Sequence, residues 1–311
     1  MGKMNKRGVF FILVATFLLY LLVLQVTTQL RFANRRVDAF KVRIETMNGF
    51  LNDMEKDLTR GVYICSFRAL ASIGQHISTT GSFVANSQSA FTEALINGTV
   101  NQTHARLMNQ STITDWMNAI SLQAAGVGLI VNLSLLEVNI TQDYPWDVNV
   151  HTYIAIDLRD DNGLASWSVN RSVDTRISIL GFEDPLYTIY TYGRLANRIN
   201  ITPYYDNYTE GDDTTNILLH MENGFYTNSS GPSFLMRFEG NLSNSPYGIE
   251  SIINREKIAA QGLQVYDRSI VDYIYFGNFS VNAHRINNTP VWFRIDDDHL
   301  EMYQVEGMTL D

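Results

Sequence analysis

From Val9 to Val26 the chain reads VFFILVATFLLYLLVLQV, a run without a single charge in which Gln25 is the one strongly polar side chain. As an α-helix rising 1.5 Å per residue, the run covers about 27 Å, close to the ~30 Å hydrocarbon core of a bilayer. A segment this apolar either stays lodged in lipid or is removed as a secretory signal. Signal peptides usually have a shorter apolar stretch followed by small residues at the cleavage site. Gln25-Val26-Thr27-Thr28-Gln29 offers none, so the segment reads as a retained anchor. Lys3, Lys6 and Arg7 in front of it favour a cytoplasmic N-terminus, but Arg31, Arg35 and Arg36 follow closely on the other side. The positive-inside rule therefore leaves the orientation open.

Asn-X-Ser/Thr triplets bear on that orientation. They begin at Asn97, Asn101, Asn109, Asn132, Asn139, Asn170, Asn200, Asn207, Asn228, Asn241, Asn278 and Asn287. Composition alone supplies roughly four such acceptor sites in a chain like this, so twelve is a threefold excess. All twelve lie beyond the apolar run. One topology, N-terminus inside and C-terminal portion outside, puts every one of them within reach of a glycosylation machinery.

The net charge of -9 conceals a division. Residues 1–94 carry eleven Lys/Arg against six Asp/Glu, and residues 95–311 carry twelve against twenty-six. Beyond position 95 the only lysine is Lys257, so the acidic portion lacks the clustered cations that neutralise nucleic-acid phosphates. Nucleic-acid binding is set aside. Cys65 is the sole cysteine, which removes intrachain disulfides and Cys-based zinc clusters.

Past the apolar run, Val37, Phe40, Ile44, Met47, Leu51, Met54 and Leu58 recur at spacings of three and four, an a/d stripe over about three heptads. No proline occurs before Pro145. One long helix from about Val9 to Ile73 is expected, with a change of phase near Gly61. Its stripe must be buried either by the rest of the same chain or by neighbouring stems. Cys65 continues the stripe through Val62 and reads as a small core residue.

The tract Lys6-Arg7-Gly8 followed at once by Val9-Phe10-Phe11-Ile12-Leu13 resembles the class III signal of archaeal type IV pilin-like proteins. The resemblance covers about the first seventy residues. It implies cleavage between Gly8 and Val9 by a prepilin-type peptidase, an apolar helix kept first as membrane anchor and later as filament core, and a β-rich head after the helix. Many pilins have a glutamate at the fifth mature position, where this chain has Leu13. The departure implies a minor, tip or assembly-associated subunit rather than a major filament subunit.

In the remainder, short helices are expected between Ser87 and Leu129, with Ser87 and Thr112 as N-caps. From Gly128 the periodicity changes to two. Val148, Val150, Thr152, Ile154, Ile156 and Leu158 alternate with polar or small residues, and Asp161-Asn162-Gly163 supplies a hairpin turn returning through Leu164 to Val169. Further strands are expected at Leu129–Ile140, Thr175–Leu180, Ser233–Phe238, Ile270–Phe276, Phe279–Ala283 and Val291–Ile295. Helices are expected after Asp184-Pro185 and over Thr215 to Glu222, with residues 203–215 as an exposed loop.

The layout is thus α+β: a cytoplasmic leader at 1–8, a transmembrane helix at 9–28, a helical stem at 29–75, a helical connector at 76–127 and an antiparallel β-rich extracytoplasmic head at 128–311. For chemistry there is little. Asp296-Asp297-Asp298-His299 and the group Asp206, Glu210, Asp212 and Asp213 are the densest sets of hard-metal donors, and neither has EF-hand spacing. The six histidines are scattered, without H-E-x-x-H, G-x-S-x-G or P-loop patterns. Tyr187, Tyr190, Tyr192, Tyr204, Tyr205 and Tyr208 are concentrated enough to serve as a sugar- or protein-binding surface or as core. The sequence therefore points away from an enzyme and from any cofactor. It points to a glycosylated, single-pass surface protein whose partners are the bilayer and other pilin-like subunits. The alternative is an unprocessed adhesion or ligand-binding protein.

Overall fold

The computed structural model describes residues 6–310; most of the leader, including Lys3, lies outside the described residues. Helix α1 (Lys6–Thr80) is a single 75-residue helix, about 112 Å at 1.5 Å per residue. The helix runs unbroken through Gly61, and the expected change of phase is in its buried face: the alternating steps from Met47 to Leu58 give way, from Leu58 to Val62 onward, to steps mostly of four. The glycine is where the ring of Trp116 crosses the helix, and a Cβ there would stand 2.5 Å from Trp116 Cε2. The missing side chain thus serves close approach rather than a break. From Met47 the helix buries one face through Leu51, Met54, Leu58, Val62, Cys65, Ala69, Ile73 and Ile77. It ends where Gly81, at φ 65, lets its N–H return to the Ile77 carbonyl (2.9 Å).

Helix α2 (Ser87–Asn97) is capped by Asn86 rather than Ser87, because the Asn86 side chain accepts from the Ser89 N–H (2.8 Å). A short ribbon of β1 (Thr99–Val100) and β2 (Thr103–His104) leads to α3 (Ile113–Gly126), which has the expected Thr112 cap completed by Asp115 as a capping box. Three antiparallel strands follow in the order β3 (Leu129–Tyr144), β4 (Asp147–Asp160) and β5 (Ser166–Ser178). The alternation read from Val148 to Leu158 is real: these residues form the buried face of β4, against α1. In the turn after β4 only Gly163 takes a positive φ (72°), since the Asp160 carboxylate accepts from the Asn162 and Leu164 N–H groups and fixes the loop. Of the strand expected at Thr175–Leu180, the residues up to Ser178 are the end of β5, and Ile179 and Leu180 lie beyond it.

The second half is less β-rich than expected. In order come α4 (Pro185–Tyr190), capped by Asp184 with Pro185 in the first turn, α5 (Thr215–Asn223), β6 (Tyr226–Ser229), α6 (Phe234–Phe238), β7 (Gly248–Ser251), α7 (Arg255–Ala260), α8 (Asp272–Gly277), β8 (Ala283–Arg285) and β9 (Arg294–Asp296). Strands β6 and β7 pair with each other, as do β8 and β9. Ser233–Phe238 and Ile270–Phe276, expected as strands, are the helices α6 and α8. Short apolar runs buried on every side have no period to read. In α6 the buried residues are Phe234, Arg237 and Phe238, a helical i, i+3, i+4 set. Phe279–Ala283 is irregular apart from its last residue, and Val291–Ile295 forms strand only from Arg294.

Candidate functional site

Helix α1 divides into three stretches. Gly8–Phe32 is a 25-residue span of mean hydropathy 2.7, none of it buried, long and apolar enough to cross a bilayer. Its threonine hydroxyls are satisfied within the helix: Thr16 Oγ1 donates to the Ile12 carbonyl (2.7 Å), and Thr27 Oγ1 (3.0 Å) and Thr28 Oγ1 (2.9 Å) to that of Leu24. That is the condition lipid imposes on any polar atom placed in it. Gly8 and Val9 lie exposed at the start of this span.

The next stretch carries the first part of the a/d stripe, and here the stripe is uncovered. Val37 is 65% exposed, Phe40 42% and Ile44 40%, whereas Met47 is fully buried. The chain's own head therefore covers the stripe from Met47 onward and leaves Val37, Phe40 and Ile44 without intramolecular packing. Arg43 marks the junction. It donates to the Val127 carbonyl (2.9 Å), the Gly128 carbonyl and the Asp160 carboxylate, which it holds below the usual carboxylate range. Further along, Glu55 accepts from Arg171 Nε of β5 (2.7 Å). Neither arginine was singled out from the sequence, where long-range pairs leave no local pattern.

All twelve acceptor asparagines, Asn97, Asn101, Asn109, Asn132, Asn139, Asn170, Asn200, Asn207, Asn228, Asn241, Asn278 and Asn287, are exposed. Asn132, Asn139 and Asn170 stand on the solvent face of the three-stranded sheet, in register with the half-buried Asp157, His151 and Ala155 rather than with core residues. Asn149, Asn197, Asn216 and Asn254, outside such triplets, are half-buried.

The interior of the head holds a network of charges. Arg237, fully buried on α6, donates to Asp184 Oδ2 (2.5 Å), Asp272 Oδ2 (3.0 Å), the Pro232 carbonyl (3.3 Å) and the Ile249 carbonyl. Tyr226 Oη donates to Asp184 Oδ2 (2.8 Å), and Ser251 donates to Asp272 Oδ2 through both its backbone (3.1 Å) and its hydroxyl (2.9 Å). Burial works against the Arg237 charge, but Asp184 and Asp272 outweigh it and raise its pKa. For Asp272, burial is the larger effect and pushes the carboxyl up to about 6 against the pull of Arg237. One guanidinium thus ties α4, α6, β7 and α8 together.

A second buried set adjoins it. His299 Nδ1 lies 2.5 Å from Asp296 Oδ1 and Nε2 lies 3.2 Å from Glu250 Oε2, an ion-pair contact without the alignment of a hydrogen bond. Burial disfavours the imidazolium, yet Glu250 and Asp296 raise the pKa to about 10, so His299 carries its proton at neutral pH. Tyr303 Oη donates to Glu250 Oε1 (2.8 Å) and Ser269 Oγ to Asp296 Oδ2 (2.5 Å).

This arrangement disperses the expected donor sets. Asp296 points inward to Ser269 and His299, Asp297 pairs at the surface with His284, and Asp298 is exposed. In the other set, Glu210 and Asp213 bridge through their backbones, and the Asp213 carboxylate accepts from Thr215. Among the described residues, no group of three or more His, Cys, Asp or Glu is arranged to hold a metal ion. Cys65 is buried, and burial pushes its thiol up to about 11. His220 is pushed down to about 3 by burial and packs its ring edge-on against those of Tyr208 and Tyr303. Of the tyrosine group, Tyr187 and Tyr208 are core, whereas Tyr190, Tyr192 and Tyr205 reach the surface.

Compared with known protein families, with characterised proteins and with solved structures, the chain gives no match.

Proposed function

We propose that this chain is a membrane-anchored, glycosylated surface protein, N-terminus inside and head outside, acting as a minor pilin-like structural or assembly component of a type IV pilus-like appendage. The observation that carries the reading is the uncovered stripe of Val37, Phe40 and Ile44 between an apolar span and a head that buries the continuation of the same stripe. About 22 Å of amphipathic helix separates the apolar span from the head, and its apolar face gains stability by packing against another apolar surface, which neighbouring stems would supply. Glycosylation at the exposed asparagines requires an activated sugar donor. The amide nitrogen bonds to the anomeric carbon, the bond from that carbon to the donor's phosphate oxygen breaks, and the amide proton is released.

The test uses cells making the full chain with a photo-crosslinking residue in place of Phe40. Irradiation is expected to link it to other stems in the membrane, and Ile44→Ser is expected to abolish the link while leaving the head folded. Cross-linking to lipid alone, or digestion of the head only after the membrane is opened from the cytoplasmic side, would contradict the reading.

A further inference from the structure

Beside Asn278 the head has a cleft of about 370 Å³ walled by Tyr190, Tyr192, Tyr266, Tyr275 and Arg268, with Asn278 itself at the edge. Its size is that of a small-ligand site, and its lining sets tyrosine rings beside the polar groups of Thr191, Gln264 and Arg268, a mixture that suits a sugar ring with one C–H face and several hydroxyls. The aromatic walls are held rigidly. Tyr190 stacks on Phe276 with centroids 5.1 Å apart and planes 8° from parallel, and the Arg268 guanidinium lies 4.0 Å from the Tyr266 centroid. Tyr192 is 83% exposed and sits at φ 55, a left-handed conformation that strains a bulky L-residue. That backbone ends α4, with the Tyr192 N–H donating to the Ile189 carbonyl (3.1 Å) and the Gly193 N–H to that of Thr188 (2.7 Å), and it turns the exposed ring out beside the cleft.

Asn278 ends α8 in the left-handed region, at φ 55. Its amide oxygen accepts from Arg268 Nη1 (2.5 Å). Arginine has only donors, so this bond fixes the amide plane with the oxygen toward Arg268 and leaves the Nδ2 position free to carry a substituent. Asn278 is also the first residue of an Asn-Phe-Ser triplet.

We infer that the first sugar ring attached to Asn278 folds back into this cleft and packs its apolar C–H face on the tyrosine walls, so that the chain's own glycan is a structural ligand of the head. The inference rests on the glycosylation proposed above. It commits to Asn278 because that residue brings the ring to the cleft without the entropy cost of a separate ligand.

The experiment uses the full chain, purified in detergent from a host that occupies its sequons. Ser280→Ala removes the Asn278 triplet without touching the Asn278–Arg268 bond, and Ser134→Ala removes the Asn132 triplet on the open sheet face as control. Loss of the Asn278 glycan is expected to lower Tm by about 2–4 °C and loss of the Asn132 glycan by less than about 1 °C. Tyr266→Ala removes its contacts with Arg268 and Tyr275 in either background, and is expected to lower Tm by more in the glycosylated protein than in the Ser280→Ala background. Equal effects of the two serine variants, or additive effects of Ser280→Ala and Tyr266→Ala, overturn the inference. Glycopeptide mass spectrometry separates the failures: a bare Asn278 with other sites occupied overturns this inference alone, and twelve bare asparagines overturn the glycosylation reading with it. Saturable quenching of tyrosine fluorescence by free N-acetylglucosamine in the fully glycosylated protein would also overturn it, by showing the cleft open to an external sugar.

Discussion

Replacing Arg237 by Met is the perturbation that the head's interior makes most informative. The substitution keeps most of the side-chain volume and removes the one cation facing Asp184 and Asp272, both fully buried. It also leaves the Pro232 and Ile249 carbonyls without this donor. Removing one partner of a buried ion pair costs about 3–5 kcal/mol, because the other charge is left uncompensated. At about 2–4 °C per kcal/mol for a domain of this size, Tm is expected to fall by roughly 6–20 °C. The pH dependence separates charge from packing. The folded-state pKa of Asp272 lies above its ordinary value, so its favourable contribution is complete below about 3.8 and is lost as pH rises through about 6. Without Arg237, which lowers that pKa, the carboxyl takes its proton still more readily. The deficit of Arg237→Met relative to wild type is therefore larger at pH 8 than at pH 5. Thermal unfolding followed by near-UV circular dichroism in detergent solution reads both quantities. A loss below about 1 kcal/mol, or a deficit that is the same at both pH values, would refute the view of this arginine as the charge that joins four elements.

His299 gives a second pH signature. Its folded-state pKa of about 10 exceeds the ordinary 6.5, so its contribution is complete below pH 6.5 and declines as pH rises through 10, a slope that His299→Gln is expected to remove from Tm measured across that range. At the helix crossing, Gly61→Ala places a Cβ into the Trp116 ring and is expected to cost about 1–3 kcal/mol, seen as a lower Tm and a shifted Trp116 fluorescence maximum. Cys65, with its thiol raised to about 11 by burial, is expected to resist iodoacetamide at pH 8 in the folded protein and to be labelled in full after denaturation.

What the sequence disclosed follows the range of the interactions involved. The apolar run, the a/d stripe, the Thr112 and Asp184 caps and the alternation along β4 are local signals, and the structure has each of them. The short apolar runs at 233–238 and 270–276 failed because burial on all sides erases periodicity, and the Arg237–Asp272 bond that joins them spans thirty-five residues and leaves no local pattern. Arg237 itself had a faint mark, a lone cation inside the apolar FLMRF of α6. Arg43 had none, since its partners at Val127, Gly128 and Asp160 lie more than eighty residues away. Where the stripe passes from uncovered to buried, between Ile44 and Met47, was likewise invisible, because both sides carry the same heptad pattern and only the position of the head distinguishes them.

The proposed assembly role turns on the fate of the eight residues before the apolar helix, and the N-terminal peptide of the chain recovered from native membranes reads it directly by mass spectrometry. The account predicts that the polypeptide retained with the lipid starts at Val9. A chain in the same fraction starting at Met1 or Gly2 would contradict the pilin-like reading and leave an ordinary single-pass anchor in its place.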